Sequence, residues 1–350
     1  MIEEKLLISE DISIRDAIEK LVNGGRKAVF IVSEDMKLVG LFTNGDMRKL
    51  LLTNTDFSLP ISSVMNRTPI SFRNRTEAID FAKNRSLVVY PIVEDGFLVD
   101  IIYDDDSCFT QESYKALYNV PLVIMAGGKG TRLYPYTKVL PKALMPIGDY
   151  TISERIIRSF TKFGCRDVLF ILNHKGGMIR AYFNDLKKEY NVQFISEETF
   201  LGTGGGLRLI KDKIDGTFIL SNCDILIEDD LSCAYQTHLN NKNMITMVCS
   251  SKEITIPYGV IKSNEAGDIL DMDEKPKLNY LVNTGVYVIE PQVIDLIEKD
   301  ETIGMPDLIK RCSDRGMKVG IFPISDRAWF DMGQFEEMDK MLEHFGMNGR

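Results

Sequence analysis

From residue 120 onward, short apolar runs alternate with longer segments whose apolar positions recur at helical spacing. LVIMA is followed by TISERIIRSFTKF, DVLFIL by MIRAYFNDLKKEY, and VQFIS by GGLRLIKDK and then TFILS. Such alternation predicts a mainly parallel, doubly wound α/β sheet. Ahead of it, residues 13–46 run from a helical pattern containing DAIEKL, through the apolar AVFIV, to KLVGLFTNGD. Residues 74–106 repeat that order as EAIDFA, LVVYPIV and FLVDIIYDDD, an internal repeat of about 60 residues. Each half alone would expose a hydrophobic sheet face, so the halves are expected to pack into one module. The chain therefore reads as two domains, 1–115 and 120–350. The connection FTQESYKALYNVP holds no Gly or Ser run, and an ordered link is expected rather than a floppy tether.

Composition changes this picture only by exclusion. The chain has 350 residues, 44% hydrophobic and 27% charged, as ordinary soluble globular proteins do. A formal net charge of −9 argues against a general nucleic-acid or anionic-membrane binder, which needs many clustered Lys and Arg. Cys108, Cys165, Cys223, Cys233, Cys249 and Cys312 form no CxxC pair, and three histidines supply no zinc spacing. Reduced, buried thiols are expected. No signal-peptide pattern opens the sequence and no apolar stretch approaches the roughly 20 residues of a membrane span, so a cytoplasmic protein is expected.

The candidate chemistry lies at 120–147, VPLVIMAGGKGTRLYPYTKVLPKALMPI. An apolar strand ends in a turn where Gly127, Gly128 and Gly130 let the backbone bend sharply and turn its amides toward an anion. Lys129, Arg132 and Lys142 add full positive charge where a polyphosphate would lie. The P-loop spacing GxxxxGK[ST] is absent, and GxGxxG fails because Leu133 replaces its last glycine. In doubly wound sheets, ligands bind beyond the carboxyl ends of the strands, where both this turn and Asp224 of FILSNCD fall.

GGKGTRLYPYT followed by PKALMPI resembles the signature of the sugar-1-phosphate nucleotidyltransferases, the nucleotide-sugar pyrophosphorylases. LGTGGGL, FILSNCD, PYGVI, DEKP, NTGVYV and WFDMG follow in that family's order, over roughly residues 120–345. The resemblance implies a Rossmann-like, doubly wound mixed sheet. It also implies in-line attack of a sugar-1-phosphate oxygen on the α-phosphorus of a nucleoside triphosphate, with pyrophosphate leaving. By that resemblance Arg132 grips the β- and γ-phosphates, Lys142 the α-phosphate and pyrophosphate, and Lys275 the sugar's phosphate. Asp224 and Asp331 would hold Mg2+, although a lone Asp after a strand is ordinarily a turn or cap residue. Cys223 departs from the small residue common in the family before that Asp. The nucleotide would lie on Met125, Ala126, Gly127, Gly128, Gly130 and Thr131, with Leu201, Gly202 and Thr203 across the base. The sugar would meet Gly259, Glu274, Asn283 and Thr284. Glu197 stands four residues before Leu201, and a carboxylate, which only accepts, suits guanine with its two donors better than uracil or thymine with one.

The repeat resembles a tandem CBS domain. In that family a Thr or Ser followed by Asp near the last strand holds the phosphate and ribose of an adenine nucleotide, a pattern Thr43 and Asp46 match. In the second half Tyr103 replaces Thr43, Asp100 replaces Gly40 and only Asp106 keeps its place, so one nucleotide pocket at most is expected. A ligand-free structural or dimerising module is the alternative, and the resemblance implies a homo-oligomer. Chains joining such a pair to this transferase resemble guanylyltransferases that activate glucosamine-1-phosphate in bacterial nonulosonic-acid (legionaminic acid) pathways. GTP with that sugar is the favoured pair, with UTP, CTP and dTTP open. A catalytically inactive nucleotide sensor is the reading from another class, against which the joint presence of Arg132, Lys142, Asp224 and Asp331 argues.

Overall fold

The repeat folds as helix, strand, strand, twice over. The computed structural model describes residues 3–53, 55–82, 87–103, 116–333 and 335–345. Leu7–Ile8 (β1) leads to Ile14–Asn23 (α1), which starts where the Ser13 hydroxyl accepts the Asp16 N–H. It buries Ile14, Ala17 and Leu21, the stripe its spacing predicts. Ala28–Val32 (β2) pairs parallel with β1 and antiparallel with Leu38–Thr43 (β3), which runs into Asn44–Leu51 (α2). The second half gives Arg75–Ala82 (α3) and the antiparallel pair Val89–Glu94 (β4) and Phe97–Tyr103 (β5). One core contains Leu21, Phe30 and Phe42 of the first half together with Val89, Leu98 and Ile101 of the second, so each half covers the other. Asp106, Cys108 and residues 109–115 of the expected link lie outside the described residues. The chain separates into two compact units, Met1–Gln111 and Glu112–Arg350.

In the second unit the elements run Leu122–Ala126 (β6), Pro146–Ile147 (β7), Tyr150–Thr151 (β8), Ile152–Thr161 (α4), Asp167–Leu172 (β9), Gly176–Asp185 (α5), Asn191–Ser196 (β10), Gly202–Gly205 (α6) and Phe218–Asn222 (β11). Ile225–Ile227 (β12), Leu231–Asn241 (α7), Ile245–Thr255 (β13), Gly259–Ser263 (β14), Ile269–Glu274 (β15), Lys277–Ile289 (β16), Met305–Asp314 (α8), Val319–Ile324 (β17), Trp329–Asp331 (β18) and Phe335–His344 (α9) follow. Among the described residues a seven-stranded sheet has the order β10-β9-β6-β11-β16-β13-β17. Leu122 and Ile124 enter the core on one face, with Ile157 and Phe170, while Val123 enters that on the other, with Leu169 and Leu220. Burial on both faces is why these strands read as unbroken apolar runs.

The sheet is mixed. β10, β9, β6 and β11 are parallel, but β16 is antiparallel to both β11 and β13. The chain between β13 and β16 folds back as the hairpin β14–β15 instead of forming a crossover, so β16 returns antiparallel to β13. The expected helix at GGLRLIKDK is cut down to the four-residue α6 and a 3₁₀ turn over Gly206–Ile210, because successive glycines propagate a helix poorly. Cys165, Cys223, Cys249 and Cys312 are buried free thiols, while Cys233, expected buried, is partly exposed. No helix among the described residues is long and apolar enough to cross a membrane.

Candidate active site

β6 pairs parallel with β9 on one side and β11 on the other, so its carboxyl end and the glycine turn emerge at the middle of the parallel edge. Gly130 has φ +63°, and a Cβ there would stand 2.8 Å from Thr137 Cγ2, so no other residue fits without strain. The Thr137 hydroxyl donates to the Gly130 carbonyl at 2.9 Å, and Lys175 Nζ donates to the Thr137 carbonyl at 2.7 Å. The turn is thereby pinned from two sides, with Lys129 and Arg132 exposed on it.

Lys142 follows Pro141 in a short 3₁₀ turn and is only 9% exposed. Its ammonium is ion-paired with the carboxylate of Asp224, which follows β11. Asp331 reaches the same place through backbone pairing. Ile225 of β12 faces Asp331 of β18 across an antiparallel ladder, and the Met332 N–H donates to the Asp224 carbonyl at 2.9 Å. Burial, then the Asp224 charge, push the Asp331 carboxyl above the usual carboxylate range; Lys142, the Gly333 N–H at 2.7 Å and Arg132 pull the other way. No group of three His, Cys, Asp or Glu that could hold a metal occurs among the described residues. Two carboxylates are nonetheless a fitting protein share for Mg2+, which keeps waters and takes phosphate oxygens for the rest of its shell. Cys223, beside Asp224, is no nucleophile: burial, then the Asp224 charge, push its thiol up to about 12.

One open cleft of about 250 Å³ is lined by Met125, Gly127, Gly128, Gly130, Thr131, Arg132, Lys142, Glu197, Thr203 and Asp224 from the sequence expectations. Phe200, Asn222, Cys223 and Gly333 line it too. Ala126, Leu201 and Gly202 are buried and are not among the residues that line it. Glu197 is 5% exposed, and its Oε1 accepts the Leu201 N–H at 2.9 Å. Its Oε2 is buried with no hydrogen-bond partner, and a Cβ on Gly127 would come 3.0 Å from it. Burial raises the Glu197 pKa against the pull of the Leu201 N–H and Asn173.

The LGTGGGL segment is held by a second strip of backbone. Ile303 donates to the Leu201 carbonyl at 2.9 Å, and its own carbonyl accepts from Gly204 and Gly205, each at 3.0 Å. Gly202, at φ +80°, leaves no room for a Cβ, which would lie 2.6 Å from the Ile303 carbonyl oxygen. The strip is braced by Glu301, whose carboxylate accepts from Arg311 at 2.8 and 2.5 Å and from the Glu298 N–H at 2.9 Å. This brace carried no recognisable motif in the sequence.

Gly259, Glu274, Lys275, Asn283 and Thr284 are not among the residues that line the cleft. Gly259 and Glu274 face each other across the β14–β15 hairpin, an arm whose second strand is exposed at every position. Lys275 lies at its base with φ +50°, unusual for a side-chain-bearing residue. Asn283 donates to the Tyr287 hydroxyl at 2.6 Å and accepts the Gly285 N–H. Thr284 is 2% exposed, its hydroxyl donating to the Val248 carbonyl at 2.8 Å and accepting from Val286. The Thr284 hydroxyl thus donates and accepts inside the sheet.

In the first unit Thr43 and Asp46 satisfy each other as a capping box: the Thr43 hydroxyl accepts the Asp46 N–H, and the Asp46 carboxylate accepts the Thr43 N–H at 3.1 Å. Tyr103 is buried beneath the Arg26 guanidinium, 4.1 Å from its ring centroid, and Asp100 is paired with Arg75 at 2.7 Å.

The nucleotidyl transferase family model matches residues 122–345, and the CBS domain model matches residues 1–53. Among curated proteins, the chain is 31% identical over 225 residues to a Bifunctional protein GlmU of Methanococcus aeolicus, covering 61% of this chain and 51% of that protein. It is 29% identical over 233 residues to a UTP–glucose-1-phosphate uridylyltransferase of Synechocystis, covering 61% and 60%. It is 28% identical over 222 residues to a probable mannose-1-phosphate guanylyltransferase 1 of Oryza sativa subsp. japonica, covering 61% of each. The chain thus spans between half and three fifths of the length of these relatives. Among solved structures it superposes on HddC from Yersinia pseudotuberculosis with a TM-score of 0.51 at 22% identity, covering 65% of this chain and 99% of that one. A putative glucose-1-phosphate thymidylyltransferase from Bacillus anthracis gives a TM-score of 0.52 at 20% identity, covering 66% and 96%. At such identities the likeness speaks for the fold, a Rossmann-like α/β sheet.

Proposed function

The chain belongs to the nucleotidyl transferase family, and from that premise we propose that it joins a nucleoside triphosphate to a sugar 1-phosphate, releasing pyrophosphate, with GTP and glucosamine 1-phosphate as the favoured pair. The observation that carries the reading is the Lys142–Asp224 ion pair set in the same cleft as the glycine turn and Arg132. A polyphosphate needs that arrangement: amides and cations for its oxygens, and carboxylates beside them for a divalent ion. Glu197 favours guanine within the reading. A buried carboxylate oxygen without a partner is costly, and a base edge with adjacent N–H donors relieves it.

The chemistry follows from charge. The sugar phosphate oxygen is already ionised and attacks the α-phosphorus in line, so no general base is required, and Cys223 is protonated and takes no part. The glycine turn and Arg132 hold the β- and γ-phosphates, Lys142 steadies the α-phosphate and the departing pyrophosphate, and Lys275 receives the sugar's phosphate. Asp224 and Asp331 are the residues that would hold Mg2+, whose chemistry there is to neutralise phosphate charge. Positioning two anions and stabilising spread charge supply the acceleration. In the CBS domain, Thr43 and Asp46 serve the α2 cap, so an adenine nucleotide would have to displace that cap, and the reading is of a structural module there.

Pyrophosphate release across GTP, UTP, CTP, ATP and dTTP against hexose and hexosamine 1-phosphates, with Mg2+, tests the proposal. GTP with glucosamine 1-phosphate should give the highest kcat/KM. Equal rates from UTP and GTP would defeat the guanine preference, and no release with any pair would defeat the transferase reading.

A further inference from the structure

Phe200 sits on the loop between β10 and α6, and the backbone on both sides of it is tied down. Glu197 accepts the Leu201 N–H through its side chain, the Leu201 carbonyl accepts from Ile303, and the Glu197 N–H donates to Leu172 at 2.7 Å. Its neighbours Glu197 and Leu201 are buried, yet Phe200 itself is 59% exposed and lines the cleft beside Glu197 and Thr203. A large aromatic ring held in water on a fixed loop contributes nothing to the core. It does present a flat apolar face within the same cleft as the carboxylate that offers an unpartnered oxygen.

Resting on the reading of this cleft as a nucleotide site, we propose that Phe200 is the stacking platform for the base. Glu197 meets the edge of that base and Phe200 covers its face. The two contributions differ in kind. Stacking tolerates any base because every base has a π face, whereas an edge contact discriminates by donor pattern. Phe200 therefore supplies affinity common to all nucleoside triphosphates, and Glu197 supplies choice among them. A neutral ring has no use for phosphate, so the inorganic part of the ligand should not sense it.

Two variants test this by binding, independently of turnover. Phe200→Trp places an indole at the platform; the only other tryptophan is Trp329, so the wild type gives the background. Indole emission should be quenched by GTP and by UTP, and inorganic tripolyphosphate should leave it at the wild-type response. Phe200→Ala should weaken GTP and UTP alike by about tenfold or more, the usual cost of a lost base–aromatic stack, with unchanged tripolyphosphate affinity and melting temperature. Unaltered nucleotide affinity in Phe200→Ala, an indole blind to nucleotides, or a rise confined to the KM of the sugar 1-phosphate would each overturn the proposal. Absence of pyrophosphate release from the wild type would instead count against the transferase reading, leaving these binding results to stand by themselves.

Discussion

Asp224 and Asp331 are brought to one site by backbone and not by their side chains: the Met332 N–H bonds to the Asp224 carbonyl at 2.9 Å, and Ile225 faces Asp331 across the ladder. Fixed in this way, the two carboxylates cannot move apart to relieve their repulsion. Burial first, and then the Asp224 charge held beside it, raise the Asp331 pKa.

Asp331→Asn should therefore stabilise the protein while crippling it. A carboxyl whose pKa is raised on folding binds its proton more tightly in the folded chain, so its ionisation costs stability as pH rises from the unfolded value, about 3.9, through the folded one. The variant's advantage in melting temperature should be absent below about pH 4, grow with pH, and level off at a few degrees near neutrality. Asn keeps the acceptor for the Gly333 N–H. Turnover should fall by about 100-fold or more, the scale on which removing one preorganised electrostatic partner acts. Melting curves over pH check the first half, and a variant less stable than wild type at pH 7.5 would refute it.

Lys142→Met keeps the side chain's stem and removes its charge, leaving Asp224, whose side chain is only 16% exposed, without a cation. Removing one partner of a largely buried pair is destabilising, so the melting temperature should drop by several degrees. Under the proposed reading, Mg2+ would take the place of the ammonium beside Asp224. Adding it should raise the variant's melting temperature by more than it raises the wild type's; equal shifts in both would mean that Asp224 is not where the ion acts.

The Glu301–Arg311 pair is predicted to matter first to nucleotide binding and then, at low pH, to stability. Arg311 and the Glu298 N–H hold the Glu301 carboxyl down to about 2. A depressed folded pKa gives stability that is complete above the unfolded value, about 4.3, and is lost as pH falls toward 2. The melting-temperature gap between wild type and Glu301→Gln should accordingly close between about pH 5 and 2. Because the braced strip grips Gly202–Gly205, Arg311→Gln should raise the KM for the triphosphate severalfold while sparing that for the sugar 1-phosphate. A fall in stability alone, with both KM values unmoved, would mark the pair as purely structural.

Much of this architecture can be read in the chain, and what escapes does so for identifiable reasons. Strands buried on both faces appear as unbroken apolar runs, and the glycine turn and Asp224 are legible because ligands gather where such strands end. The reversal of β16 is not legible, since strand direction depends on the connection between β13 and β16 and not on the strands' own composition. Phe200 is a lone aromatic in a loop, with no period to expose it. Thr43 and Asp46 show a different limit: T-x-x-D is the spacing of a helix cap as much as of a nucleotide ligand. Thr284 likewise sits in a quotable motif while its hydroxyl is consumed by Val248 and Val286.

Lys275 tests the arm. Its left-handed backbone costs on the order of 1–2 kcal/mol for a residue with a Cβ. Lys275→Asn tolerates that conformation, so it removes the ammonium without disturbing the turn where the Lys275 N–H reaches the Tyr258 carbonyl. The KM for the sugar 1-phosphate should rise by about tenfold or more, as expected for loss of a charge-assisted hydrogen bond, with little change in the KM for the triphosphate. Lys275→Gly should give the same kinetics in a slightly more stable protein. If instead the triphosphate KM rises and the sugar's does not, the arm serves the nucleotide, and the sugar's phosphate must be received elsewhere.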